Sequence, residues 1–194
     1  MLTPQPGDFG LVSIAGGVGK LIRFGQWLNG DGFHDYEHAF IYIGDGKIVE
    51  AEPGGACISE LSEYDGRAIL WSTGLIPLTD VQRKGIVETA IQWVGTPYSF
   101  LDYLAIGMYR LGITAFGISD RVISSQHMIC SQLVAQDYEV HGSPLTEYPP
   151  YLVTPGRLTD YLLSFRHTKR LGKMVQQSGS NSINIQVGGN LAIT

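Results

Sequence analysis

One stretch, His38 to Glu52 (HAFIYIGDGKIVEAE), constrains this chain more than any other. Two short apolar runs, 39–43 and 47–51, flank Gly44-Asp45-Gly46. Ile, Tyr and Val suit strands, and a Gly/Asp cluster between two such runs predicts a β-hairpin. Side chains alternate along a strand, so His38, Phe40 and Tyr42 share one face, as do Ile48, Glu50 and Glu52 on the second strand. A three-residue loop, Gly44–Gly46, pairs Ile43 with Lys47 and Phe40 with Glu50. His38 and Glu50 then become diagonal neighbours on one face. A two-residue loop turns Glu50 to the other face, because a slip of one residue inverts every side chain. The stretch therefore permits a His–carboxylate pair, and what that pair lacks is a nucleophile.

The length of 194 residues fits one domain with a proper core, and the 44% hydrophobic content is ordinary for a globular protein. A net charge of −5 argues against a nucleic-acid partner, whose phosphates call for a basic surface. The N-terminus has neither a basic nor an apolar signal region, and no apolar run reaches the length of a membrane span. Two cysteines, Cys57 and Cys130, make no disulfide framework and fit synthesis in a reducing compartment, the cytoplasm.

Residues 8–14 read as a first strand. Gly16–Gly30 has a loose helical spacing; its GGVGKL lacks the Ser/Thr and the glycine spacing of a phosphate loop. After the hairpin, 57–61 is a short edge segment and 68–71 a strand. Thr79 or Asp80 caps a helix to about Trp93, with Val81, Ile86, Ala90, Trp93 and Val94 as its apolar face. Gly95-Thr96-Pro97 breaks the chain, and 99–111 is a further helix. Residues 112–127 read as an irregular excursion. A helix over 129–140 buries Ile129, Leu133, Val134 and Tyr138. Thr154-Pro155 starts a helix to about Phe165. From Lys169 the composition turns polar and glycine-rich, and Ile183, Ile185 and Val187 alternate like a strand. The expected organisation is a domain over 1–168 and an appended β-forming tail over 169–194.

Cys130 opens the helix MICSQLVAQDY. N–H groups at a helix start favour a thiolate and can hold a developing oxyanion. A buried free Cys usually serves as a small core residue, and position alone favours that role. The surrounding motifs speak for a reactive thiol. PGDFGLV and HAFIYIGDGKIVEA resemble the second half of an NlpC-family cysteine peptidase domain, where a PGD strand precedes a strand that starts with the catalytic His and a third polar residue follows on the next strand. GTPY (95–98) and CSQLV (130–134) resemble its first half, where GxPY precedes CSxLV. The halves stand in swapped order. The chain thus resembles, over residues 6–160, the circularly permuted branch of YiiX-like papain-fold hydrolases, which includes lecithin:retinol-acyltransferase-like proteins. The resemblance implies an α+β, circularly permuted papain-like fold, with a central antiparallel sheet and helices packed on it. It matches Cys130 to the nucleophile, His38 to the general base, Glu50 to the orienting residue and Tyr98 to the tyrosine near the nucleophile. The third residue here is Glu where the family more often has His.

The chemistry needs no metal and no cofactor. A thiol is mostly protonated at neutral pH and requires a base, which His38 supplies, while Glu50 fixes the imidazole tautomer and steadies its positive charge. Attack yields a thioester that passes to water, an amine or an alcohol. Other candidates carry less. His127 is assigned to a loop. His34 with Asp31, Asp35 and Glu37 has no ligand spacing and reads as a solvated loop. Glu52 is the rival orienter, His141 and His167 are assigned to helix ends, Cys57 to a structural role, and Gln126 to an oxyanion role of little weight. Three functions follow in order. The first is a cysteine hydrolase cleaving an amide bond in a peptidoglycan peptide, a substrate taken from the resemblance alone. The second is a lipid-directed thioesterase or acyltransferase with an apolar groove along 98–111. The third is a non-catalytic component of a larger assembly, docked through the tail to another copy or to a partner protein. A wall hydrolase without a signal peptide reaches its substrate by lysis, by another export route, or on a particle such as a phage tail.

Overall fold

A computed structural model of the chain describes residues 3–14, 34–52, 54–97 and 129–180. The expected helices over 16–30 and 99–111, the excursion 112–127, and the strands expected after residue 182 lie outside the described residues. The architecture is α+β. Five antiparallel strands, β1 (Phe9–Val12), β2 (His38–Gly44), β3 (Lys47–Glu52), β4 (Gly55–Glu60) and β5 (Ile69–Trp71), form one sheet in the order β4-β3-β2-β1-β5. Among the described residues three helices, α1 (Asp80–Gln92), α2 (Cys130–Val140) and α3 (Pro155–Ser180), follow them. No helix among the described residues is long and apolar enough to cross a membrane.

Alternation along the strands sorts the core into two layers. Leu11, Ala39, Ile41 and Val49 pack with Ile86 of α1, Leu133, Val134 and Tyr138 of α2 and Leu158 of α3. On the other face Val12, Phe40 and Ile48 pack with Tyr64, which ends a 3₁₀ turn at Leu61–Tyr64. Gly10 lies opposite Phe40, and a β-carbon there would stand 2.6 Å from the Phe40 ring, so only glycine leaves room for that ring.

The hairpin register is the expected one, reached by a different turn. Phe40 pairs with Glu50, but Gly44, not Ile43, pairs with Lys47, and the register shifts between Tyr42 and Gly44. The loop is the two residues Asp45-Gly46, both at positive φ (51° and 73°), the conformation that a tight hairpin turn requires. A bulge at Ile43 adds the missing residue and returns Glu50 to the face of His38.

Thr79 caps α1 through a reciprocal bond pair with Gln82. The expected face of α1 is corrected at both ends. Ile86 and Ala90 are buried, but Val81 is 82% and Val94 42% exposed, because the sheet meets only the middle of the helix. The last helix runs past the expected end at Phe165 to Ser180, so the expected boundary at 168/169 falls inside it. Lys, Arg, Leu, Met and Gln dominate 169–177 and are good helix formers, whatever their polarity. His167 accordingly lies within a helix rather than at its end.

Asp137 anchors α2 to the end of α1. Trp93 Nε1 donates to its Oδ1 at 2.8 Å, while the buried Oδ2 has no partner among the described residues. Burial pushes this carboxyl up to about 7, against the Trp93 bond that pulls it down. A folded-state pKa above the ordinary 3.8 means stability that is fully present below that value and is lost as pH rises through about 7. Asp137→Asn is therefore expected to flatten the fall in stability over this range, by up to about 1.4 kcal/mol per pH unit. Urea denaturation of both proteins at a series of pH values measures it.

Candidate active site

The His38 end of β2 meets the Cys130 end of α2. His38 opens its strand at a position paired with Val12, and the residue is 5% exposed. Its Nε2 lies 2.6 Å from Glu50 Oε2. The diagonal geometry follows from the Phe40–Glu50 pairing, one step along the sheet on the same face. Cys130, 6% exposed, stands in the first turn of α2, near enough for its sulfur to raise the pKa of the same imidazole. The three residues that the sequence singles out, Cys130, His38 and Glu50, thus come together at one end of the sheet.

The electrostatics match. Burial works to lower the pKa of His38, but the Cys130 sulfur and the Glu50 carboxylate push it up to about 10. Burial likewise works to raise Glu50, yet its bonds with His38 and Tyr64, with the Ser59 hydroxyl nearby, hold it below the usual carboxylate range. The resting pair is an imidazolium beside a carboxylate. Ile129, the residue capping α2, offers no side-chain acceptor to the first N–H groups of the helix. Those N–H groups have no partners inside the helix and are available to a developing oxyanion beside the sulfur. Ser131, next in the chain, turns away to bond the Val153 carbonyl and holds the helix start against the segment before α3.

The remaining expected residues fall as follows. Tyr98 lies outside the described residues, as do His127 and Gln126. Glu52 is exposed at the end of β3 opposite Gly55, and the imidazole bonds Glu50 instead. Cys57 sits opposite Glu50 on edge strand β4, with its Sγ 3.6 Å from Ser59 Oγ, and burial raises its pKa. The solvated-loop reading of 31–37 is corrected where the structure describes it. Glu37 is buried and accepts from the Ile14 amide at 2.8 Å, and His34 Nε2 lies 3.2 Å from Asp160 Oδ1, because this segment packs between β1 and α3. His141 ends α2 as expected and shares a 2.9 Å hydrogen bond with Thr89. Among the described residues no cluster of His, Cys, Asp and Glu has the makings of a metal site.

Sequence reasoning missed Tyr64. Its hydroxyl donates to Glu50 Oε2 at 2.6 Å, the oxygen that also meets His38. Nothing local in LSEYDGR marks the residue; only the stacking of its ring on Phe40 brings it in. No protein-family model matches the chain, and no curated protein matches its sequence.

Proposed function

We propose that this protein is a cysteine hydrolase of the circularly permuted papain-like kind, working through Cys130, His38 and Glu50. The observation that carries the reading is the buried His38–Glu50 pair, 2.6 Å apart, with the Cys130 sulfur near enough to the imidazole to raise its pKa. A structural role asks for none of this, since burying an ion pair is costly and a neutral core is cheaper to build. The Cys130 thiolate attacks the carbonyl carbon of an amide. The C–N bond breaks, the amine leaves with the proton from His38, and a thioester remains. Water then gives a proton to His38 and attacks the thioester, releasing the acid and restoring the thiol. Glu50 orients the ring throughout and supports its positive charge whenever it carries the second proton. The motif resemblance supports a peptidoglycan peptide as the amide substrate. Incubation with muropeptides and, in parallel, with acyl esters, followed by mass spectrometry, tests the assignment. Loss of one amide bond with gain of one water supports it. Cleavage of acyl esters alone moves the protein to the lipid-directed class, and no product from either set overturns the enzyme reading.

A further inference from the structure

Glu50 uses its two oxygens unequally. Oε2 takes both short contacts, from His38 Nε2 and from the Tyr64 hydroxyl, each 2.6 Å, while buried Oε1 has no hydrogen-bond partner among the described residues. Tyr64 is itself held from three sides. Its ring stacks on Phe40 with centroids 5.4 Å apart, lies tilted against the His38 ring at 6.1 Å, and carries the Arg67 guanidinium 5.4 Å from its centroid. Glu60 and Glu63 close the 3₁₀ turn that delivers it. Arg67 in turn donates to the Ser13 carbonyl just beyond β1, which ties this turn to the strand beside His38. A cation over the ring makes its hydroxyl a better donor.

Resting on the catalytic reading above, we propose that Tyr64 is a positioning residue of this site, fixing which Glu50 oxygen faces the imidazole and sharing its negative charge. The groups facing the pair are Cys130 from α2, Tyr64 and Arg67 from the 3₁₀ turn and its exit, and Cys57 and Ser59 from β4, with the Glu52 and Glu63 carboxylates further out. None of the others donates to Oε2. The direction of the effect follows from charge. When the His38–Glu50 pair gives up its last proton, a bare carboxylate faces a neutral ring, and that state gains most from the Tyr64 donor. Without the hydroxyl, the pair keeps its proton to higher pH, wherever in the pair the proton sits.

The test is an NMR titration of His38 in the full chain, which requires no substrate. Tyr64→Phe keeps the ring and its stack, and it should raise the pH at which His38 loses its proton by about one unit. 3-Fluorotyrosine placed at position 64 alone is a stronger donor and should lower it. The pH profile of Cys130 alkylation should move with each. An unchanged titration in either protein, or a shift of opposite sign, overturns the proposal. If Tyr64→Phe fails to fold, the fluorotyrosine protein decides alone. Absence of hydrolysis in the wild-type protein would refute the enzyme reading while leaving the His38 shifts to be read.

Discussion

Cys130→Ala is expected to abolish turnover, with a loss of about 10^6-fold in kcat/KM on whichever amide the product assay identifies. Cys57 is not expected to take over the attack, because it stands two strands from His38, opposite Glu50, and burial raises its pKa. The fold should survive the change. Cys130 is small and the line of polar groups behind it stays complete, so the cost in stability should be about 1 kcal/mol, the usual size for one substitution. His38 and Glu50 keep their 2.6 Å contact without the sulfur. Kinetics and thermal denaturation on the same preparation separate the two effects. A variant that keeps activity would remove Cys130 from the chemistry.

Glu50→Gln is expected to lower kcat/KM by about 10^3–10^4-fold while holding the local shape. The amide oxygen can accept from both His38 and Tyr64 at the place of Oε2, and the amide nitrogen takes the place of Oε1, which has no hydrogen-bond partner among the described residues. What is lost is the charge that supports the imidazolium. Glu50 is one of the two groups that raise His38 against its burial, so the ring should lose its proton at lower pH and the alkaline limb of the activity profile should move down. The direction is opposite to that expected of Tyr64→Phe. A downward shift together with the rate loss identifies an electrostatic role for Glu50; a rate loss with an unmoved profile identifies a packing defect.

The strands and capped helices among the described residues were legible because their signals are local: β-branched alternation, Thr79 with Gln82, Pro155 after Thr154. The His38–Glu50 pairing was legible only as one of two registers. The deciding device is the bulge at Ile43, which allows a two-residue turn to keep the register of a three-residue one, and no residue type announces it. Tyr64 was not legible at all. It reaches Glu50 through a stack on Phe40, two strands away in the sheet from the segment that follows it, and contacts of that kind leave no periodicity in the chain. The end of α3 was misread because polarity was taken as a stop signal. Helix propensity depends on side-chain entropy and backbone competition, not on apolarity, and Lys-Arg-Leu-Gly-Lys-Met-Val-Gln-Gln sustains a helix despite its one glycine.

The central claim is that Cys130 is a thiol activated by a histidine that Glu50 holds charged. Its most direct measurement is competition between the two cysteines for limiting iodoacetamide at about pH 6, read by peptide mapping, because only a thiol paired with an imidazolium is substantially ionised there. The account predicts alkylation of Cys130 with Cys57 untouched, and loss of that labelling in His38→Ala. Labelling of Cys57 first, or of both at equal rate, would contradict it.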